Sequence, residues 1–148
     1  MTTFRLKIEG ACAAPADLTW DDIDALATGA AAVPDTAALS PKVRGAGVRL
    51  GAVLARAQPT PEATHVMVYD DGDYRACLTR AEAETAAVLA HRGEGGEPLP
   101  EAQGGPLRLL VPTSDNLCMS VKRVVRIALL TGAEADTVPR ATTKLRAK

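Results

Sequence analysis

The N-terminal part of the chain carries one strand signal and one helix signal. Apolar and charged side chains alternate from residue 4 to residue 9, and Gly10 follows them. This period-2 pattern predicts a half-buried strand. Thr19 precedes Asp22 by three residues, which is the spacing of a capping box at the start of a helix. We expect that helix to run to about residue 26 or 27.

The acids of this helix, Asp21, Asp22 and Asp24, could be read as catalytic carboxylates. Acidic side chains in the first turn of a helix also stabilise it, because they complement the helix dipole. We therefore interpret all three as helix-stabilising residues.

The next stretch predicts a strand, a loop and a second helix. Residues 28–47 are rich in Ala, Pro and Gly, and because proline removes backbone donors we expect a short strand followed by a loop. Apolar residues at helical spacing from Val48 to Ala57 then predict a helix that stops before Pro59.

A hairpin is predicted around residues 70–73. Two β-rich runs, 64–69 and 74–78, flank an Asp-Gly pair in this segment. Such a pair between two strands is a strong signal for a tight turn. These acids therefore indicate a turn rather than a calcium loop.

A third helix is predicted to begin at Thr79, which has Glu82 three residues later. The pattern extends it to about His91. In the last turn of a helix, His91 would be a surface residue that compensates the dipole.

The C-terminal part predicts two strands joined by a loop. Residues 107–111 form an apolar run that Pro112 ends, which is typical of a buried strand. A long final strand is predicted over about residues 120–130. Alternation along that strand would place Lys122 and Arg123 on opposite faces, so at most one of them would face a pocket.

Length and composition predict one domain without a strongly charged surface. The chain has 148 residues, 17 basic and 18 acidic side chains, and 3% aromatic residues. This composition argues against nucleic acid or an anionic membrane as partner. No apolar run reaches the ~20 residues of a membrane span and no signal peptide is recognised, so we expect a cytoplasmic location. We assign residues 1–132 to a single domain and 133–148 to a basic C-terminal tail.

The cysteines Cys12, Cys77 and Cys118 are odd in number and far apart. This distribution is unlike the paired sets of disulfide-rich secreted domains, so we expect reduced thiols. His65 and His91 have no metal-ligand spacing, and the sequence predicts no zinc site.

Four short motifs, taken in order, resemble the oxidoreductase molybdopterin-binding domain, the catalytic domain of sulfite oxidases. They look like the family's first strand with its glycine, its Gly-Val-x-Leu stretch, its Gly-Pro-Leu-Arg strand and the motif that opens its last strand, and they are residues 6–10, 47–50, 104–109 and 120–122. The resemblance covers about residues 4–132. It implies an α+β fold with a mixed β-sheet, a barrel-like core and a few short helices.

The resemblance also implies a cofactor and the residues that hold it. In the family, basic side chains and backbone amides hold a pyranopterin phosphate, and a cysteine thiolate ligates molybdenum. Molybdopterin is the implied cofactor, a small anionic ligand or pterin the implied partner, and any electron-transfer partner a separate chain. The implied cofactor-binding residues are Arg44, Arg108, Ser120 and Lys122. Further cations that the fold could bring near the same site are Lys42, Arg49 and Arg123.

The chain departs from the family pattern at the metal ligand. The family's cysteine lies on the loop that corresponds to residues 30–46, which contain no cysteine here. Cys118 instead lies just before the Ser120–Lys122 motif, where a lowered pKa would allow it to act as nucleophile, redox thiol or substitute ligand. The alternative is that Cys118 is a compact, partly buried loop residue.

Three functional hypotheses remain open at this point. The first is a sulfite-oxidase-like oxidoreductase domain with an altered or lost metal site, in which Cys118 carries any catalytic chemistry. The second is a cofactor-free binding or interaction module on the same fold. The third is an enzyme that uses the pocket for a metal-independent reaction.

Overall fold

The described chain combines short strands with three short helices. The computed structural model describes residues 4–36, 43–111 and 120–134. The helices are α1 (Trp20–Ala25), α2 (Leu50–Ala55) and α3 (Arg80–Thr85), with 3-10 turns at Gly29–Ala31 and Glu101–Gln103. The strands are β1 (Arg5–Gly10), β2 (Ala16–Thr19), β3 (Ala32–Val33), β4 (Gly45–Arg49), β5 (His65–Tyr69), β6 (Arg75–Thr79), β7 (Val88–Gly93), β8 (Arg108–Leu110) and β9 (Arg126–Leu130). None of the helices in these ranges is long and apolar enough to cross a membrane.

The strands form two open sheets. One has the order β2-β1-β9-β5-β6, and the other has the order β3-β4-β7-β8. Every pairing between these strands is antiparallel except that of β1 with β9. The expected α+β architecture with a mixed sheet and few short helices is confirmed. The described strands do not close into a barrel, so the barrel-like core that we expected is wrong.

One apolar core joins the two sheets and the three helices. Its members come from the five-stranded sheet, the four-stranded sheet and the helices, and include Leu6, Ile8, Val66, Val68, Ile127, Leu129, Val48, Leu89, Leu109, Ile23, Leu50, Val53, Leu54 and Ala83. Burying one such aliphatic side chain stabilises the fold by about 1.5–3 kcal/mol relative to leaving it in water. The alternation predicted for β1 is confirmed, because Leu6 and Ile8 are fully buried in this core.

A smaller cluster covers the other face of the four-stranded sheet. Ala90 and Leu110 are the strand neighbours of core residues, so their side chains point away from the main core. They pack with Val43 and Leu99. The segment between β7 and β8 is therefore held against the sheet, and this places its 3-10 turn beside β8.

Local hydrogen bonds confirm the predicted start of α1. Thr19 Oγ1 accepts from the Asp22 backbone N at 3.1 Å, and the Asp22 carboxylate accepts from the Thr19 backbone N at 2.9 Å. This reciprocal pair satisfies two donors at the helix terminus. The helix ends at Ala25, slightly before the predicted end.

The predicted β5–β6 hairpin is also confirmed. The strands pair antiparallel from His65–Thr79 to Tyr69–Arg75. In the turn, Asp70 Oδ1 accepts from the backbone N of Gly72 at 2.7 Å and of Tyr74 at 3.1 Å. The Asp side chain thus replaces backbone acceptors, as expected for an Asx turn.

Two predicted helices have the wrong bounds. The helix expected from Val48 begins only at Leu50, because Gly45–Arg49 form β4. The helix expected to reach His91 ends at Thr85, and Val88–Gly93 form β7. β7 pairs with β4 on one side and β8 on the other. Sheet pairing on both sides overrides the helical tendency of this stretch.

The final strand is shorter than predicted. It begins at Arg126, and Val121 makes only an isolated bridge to Leu109. Residues 122 and 123 lie in a bend between them. The strand-face argument for Lys122 and Arg123 is therefore wrong.

Candidate functional site

Arg108 connects the two motifs that carry the C-terminal part of the resemblance. Its Nε donates to Ser120 Oγ at 2.8 Å, and its Nη1 donates to the Gln103 carbonyl at 3.0 Å. The fork geometry of a guanidinium allows it to hold two acceptors at once. Partial burial lowers the pKa of Arg108 from its usual value, although an arginine stays protonated in proteins.

Gly104 brings Arg108 and Lys122 together. Its φ is +92°, and an added Cβ would lie 2.8 Å from Lys122 Cγ and 2.9 Å from Arg108 Cδ. Both side-chain stems therefore pack against bare backbone at this position. A residue with a side chain would meet both a strained conformation and these two contacts.

The bend that holds Lys122 is fixed from two sides. The Arg123 backbone N donates to the Gly104 carbonyl at 2.8 Å. Its side chain makes an ion pair with Asp71 of the β5–β6 turn at 3.2 Å. Arg123 is thus turned toward Asp71, while Lys122 is an exposed residue whose stem packs at Gly104. No described carboxylate lies within ion-pair distance of Lys122.

Arg44 reaches the same site through Gln103. The Arg44 backbone N donates to Gln103 Oε1 at 3.2 Å, so Gln103 is bonded to both Arg44 and Arg108. The Arg44 guanidinium is exposed, and its Nη1 lies 3.9 Å from Glu94 Oε2. The structure therefore brings the side chains of Arg108, Ser120 and Lys122 around the turn formed by residues 101–104, whereas Arg44 reaches the turn only through its backbone. We call the three cations Arg44, Arg108 and Lys122, together with Ser120, the cation group.

The other predicted cations are not part of this group. Arg49 Nε donates to the Ala30 carbonyl at 3.3 Å on the far side of β4 from this turn. Lys42 lies outside the described residues. Cys118, the residue predicted to carry any catalytic chemistry, also lies outside them.

A cleft of about 580 Å³ adjoins the cation group. Arg44 lines it together with residues from the start of β4 and the loop before it, and from the end of β7 and the loop after it, which are Pro34, Asp35, Gly45, Ala46, Arg92, Gly93, Glu94 and Gly96. The cleft thus lies along the loop on which the family pattern places a cysteine. The charged residues that line the cleft include both acidic and basic side chains.

Beside this cleft, α1 is bonded to β7 through one carboxylate. Asp24 Oδ1 accepts from His91 Nε2 at 2.8 Å and from Arg92 Nε at 2.8 Å, and Asp24 Oδ2 accepts from Arg92 Nη2 at 2.6 Å. Trp20 adds to the contact, because its Nε1 donates to the His91 carbonyl at 2.9 Å and its ring lies 4.9 Å below the Arg92 guanidinium. We call these four residues the α1–β7 cluster.

A β-bulge explains how adjacent residues of β7 reach one carboxylate. Ala46 pairs with Arg92 and Gly47 pairs with Ala90, so His91 is the extra residue of the strand. In a regular strand, neighbouring side chains point to opposite faces, and a bulge removes that alternation locally. His91 and Arg92 can therefore both bond to Asp24.

The interpretation of Asp24 and His91 from the sequence is wrong. Asp24 is an ion-pair partner of β7 rather than a dipole-compensating acid, and His91 is a buried strand residue that is 1% exposed. The bonds from Arg92 and His91 lower the pKa of Asp24, against the effect of burial. Burial lowers the pKa of His91, while the bond to Asp24 raises the pKa of Arg92.

Sequence reasoning missed Gln103 and the α1–β7 cluster, and it placed Gly104 in a motif without its role at Arg108 and Lys122. The i, i+4 spacing of Trp20 and Asp24 gave one signal, since such residues share a helix face. Nothing local indicated that His91 and Arg92 would face the same partner, because the bulge depends on pairing with β4.

The described cysteines lie away from the site. Cys12 bridges to Pro59 after β1, and Cys77 is in β6 of the five-stranded sheet. Neither forms a disulfide. Burial and the nearby Glu9 carboxylate raise the pKa of Cys12, which disfavours the thiolate that a metal requires. The described residues contain no group of three or more His, Cys, Asp or Glu side chains that could hold a metal ion.

Comparisons with known proteins agree with the fold and the motif order. The model of the oxidoreductase molybdopterin binding domain family matches residues 1–138. The protein-methionine-sulfoxide reductase catalytic subunit MsrP of Xanthomonas campestris pv. campestris is 30% identical over 86% of this chain and 45% of its own length. The chain thus spans less than half the length of this curated relative. The sulfane dehydrogenase SoxCD from Paracoccus pantotrophus has the same fold, with a TM-score of 0.66 at 22% identity over 87% of this chain and 38% of that chain.

Proposed function

Because the chain belongs to the oxidoreductase molybdopterin-binding domain family, we propose that it is a sulfite-oxidase-like oxidoreductase domain with an altered metal site. In this proposal the domain binds the phosphate of a pterin with its cation group. The residues of that group are Arg44, Arg108, Ser120 and Lys122.

The convergence of Arg108, Ser120 and Lys122 on the Gln103–Gly104 turn is the observation that supports the proposal. Arg108 supplies a guanidinium that Ser120 and Gln103 already orient. Lys122 presents its ammonium at the same turn, because Gly104 leaves room for its stem. Arg and Lys are the side chains that bind phosphate, by a planar fork and by a point charge respectively.

The described residues fit the phosphate end of molybdopterin and do not fit its metal end. When bound, the cofactor supplies a metal centre for redox chemistry, and that centre needs a soft anionic ligand. Cys12 and Cys77 are on other parts of the fold, so neither can serve. The chain's remaining cysteine is Cys118, two residues before Ser120 in the sequence. Within the proposal, Cys118 is the thiol that acts as substitute ligand or redox group.

The proposal is tested by purifying the protein from a host that makes the cofactor. Molybdenum is measured by elemental analysis and pterin by its fluorescence after oxidation. We expect one pterin per chain in the wild type and at least a tenfold loss in Lys122→Ala, which corresponds to ~1.4 kcal/mol. Arg5→Ala is the matched control, because Arg5 is an exposed cation of the other sheet, paired with Asp17 at 3.9 Å. Equal pterin content in both variants would contradict the assignment of Lys122.

The role of Cys118 has its own test. If it ligates the metal, Cys118→Ser should keep pterin and lose molybdenum, since a hydroxyl is a poor soft ligand. Cys77→Ser is the matched control.

The curated relative is a methionine sulfoxide reductase subunit, so reduction of a dialkyl sulfoxide by a chemical electron donor is the first activity to assay.

The proposal includes a cellular setting and a partner. The odd number and wide separation of Cys12, Cys77 and Cys118 favour a reducing compartment such as the cytoplasm. Electrons would come from a separate chain. The tagged domain is purified with and without bound cofactor, with its cation group intact in both cases. A redox-active protein that copurifies only with the cofactor-bound domain would be that partner.

A cofactor-free binding module is the second candidate. It is favoured by the loop before β4, which lines the cleft with Pro34, Asp35 and Arg44 and has no cysteine. In that case the cation group would bind a small anion without redox chemistry. The wild type would then contain neither pterin nor molybdenum, and Cys118→Ser would behave as the wild type in every assay.

A further inference from the structure

His91 contains a buried polar atom that the fold leaves without a partner. His91 Nδ1 is the one such side-chain atom in the described part of the chain. The other ring nitrogen, Nε2, faces Asp24 Oδ1 at 2.8 Å. A carboxylate only accepts hydrogen bonds, so Nε2 carries the proton and Nδ1 of the neutral ring is an unprotonated lone pair.

Asp24 holds three donors from two consecutive residues of β7. Two come from Arg92 and one from His91. Trp20, one helical turn before Asp24, donates to the His91 carbonyl and packs its ring 5.4 Å from the imidazole. These contacts are the polar links between α1 and β7.

We propose that the α1–β7 cluster is an acid-sensitive latch, which holds α1 on β7 while His91 is neutral and opens when His91 takes up a second proton. The latch goes beyond the proposed function and does not rest on it. Its parts are Asp24, His91 and Arg92, with Trp20 as the residue that reports its state.

The geometry makes the second proton unfavourable in the closed latch. That proton must bind at Nδ1, where no acceptor is available, and an unsatisfied buried donor destabilises the folded state. It also creates a cation in a buried ring next to the Arg92 guanidinium. Burial is accordingly the largest cause that lowers the pKa of His91.

Among the residues that the structure describes, few charged groups lie around His91. α1 contributes Asp24, and β7 contributes Arg92. The Asp22 carboxylate is turned back to the Thr19 backbone. The elements bonded at the bulge contribute Ala46, Gly47 and Leu99, which do not titrate. Asp24 favours the protonated ring, but it is shared with two Arg92 donors, so it offsets the cost only in part.

Arg92 connects the latch to the cleft. Arg92 Nη1 donates to the Gly96 carbonyl, and Arg92, Gly93 and Gly96 line the cleft. Release of Asp24 would therefore free the guanidinium that fixes this wall. Opening of the latch should change the cleft, whatever ligand the cleft binds.

The chain is well suited to a direct test, because Trp20 is its only tryptophan and His91 is one of two histidines. Ring protonation of His91 is followed by NMR, and release of α1 by Trp20 fluorescence, from about pH 8 to about pH 5. We expect both titrations in the wild type to share one midpoint. That midpoint should lie below the midpoint of His91 in the urea-unfolded chain.

Three variants separate the latch from general acid unfolding. His91→Gln keeps an N–H donor for Asp24 but cannot be protonated, so its Trp20 emission should stay constant over the same pH range. Asp24→Asn should shift Trp20 emission toward that of exposed tryptophan already at about pH 8. Asp21→Asn, on the same helix, is the matched control and should behave as the wild type.

Two outcomes would overturn the proposal. One is a Trp20 transition in His91→Gln that equals the wild-type transition. The other needs only the wild type, and so holds even if a variant fails to fold: protonation of His91 without any change in the Trp20 indole N–H signal.

Discussion

Arg108 Nε donates to Ser120 Oγ over 2.8 Å, although the two residues are 12 positions apart in the chain. This bond joins the start of β8 to the bend that carries Lys122. The Gly-Pro-Leu-Arg and Ser-Val-Lys motifs of the sequence are therefore parts of one structural unit. Gln103 extends that unit to Arg44 at the cleft.

Arg108→Lys should destabilise the protein even though it keeps the charge. A lysine ammonium lacks the planar fork that bonds Ser120 and Gln103 together. We expect one acceptor to lose its partner and the free energy of unfolding to fall by about 1–3 kcal/mol, as measured by urea denaturation. Arg56→Lys, at the exposed end of α2, is the control and should change stability little. Equal unfolding free energies in the two variants would show that the fork is not used.

Gly104→Ala should destabilise the site turn. Its φ of +92° disfavours alanine, and the new Cβ would lie under 3.0 Å from the stems of Lys122 and Arg108. We expect a loss of more than about 1 kcal/mol in unfolding free energy, together with displacement of both cations and weaker pterin binding. Gly132→Ala is the control, because nothing lies within 4 Å of an added Cβ there. Wild-type stability in Gly104→Ala would mean that the turn relaxes without cost.

The sequence was informative where structure depends on neighbours along the chain. The capping box at Thr19 and the Asp70–Asp73 turn are made by residues within four positions of each other, and both predictions are confirmed. Arg108, Ser120 and Lys122 were reached through motif order, and their side chains lie around one turn. Their role in cofactor binding stays a prediction.

The sequence was uninformative where pairing between strands determines the local structure. β7 was predicted to be the end of a helix, because it follows the Ala-rich residues 81–87 and because its partners β4 and β8 are distant in the chain. That error hid the bulge, and with it the bonds from His91 and Arg92 to Asp24. The bend at Arg123, with φ of +50°, likewise depends on the Gly104 carbonyl and on Asp71.

Thr19→Ala should weaken α1 by removing half of its capping box. The hydroxyl accepts from the Asp22 backbone N at 3.1 Å, and loss of such a cap typically costs about 1 kcal/mol. Urea denaturation should show this loss. Thr28→Ala is the control, because Thr28 precedes a 3-10 turn and makes no side-chain capping bond. A loss of similar size in both variants would assign the effect to threonine packing rather than to the cap.

The free energy of unfolding should decrease as pH is lowered, in two separate pH ranges that reflect His91 and Asp24 of the α1–β7 cluster. The pKa of His91 is lowered from 6.5 by burial, so the unfolded chain binds a proton more readily and the stabilising contribution is lost as pH falls below 6.5. The pKa of Asp24 is lowered from 3.8 by its bonds to Arg92, so its contribution is present above 3.8 and is lost as pH falls below that value. Urea denaturation at a series of pH values should show both losses of stability in the wild type. In His91→Gln, the loss below pH 6.5 should be absent and the loss below pH 3.8 should remain. A wild-type free energy of unfolding that stays constant from about pH 7 to about pH 5 would show that His91 titrates alike in the folded and unfolded chain.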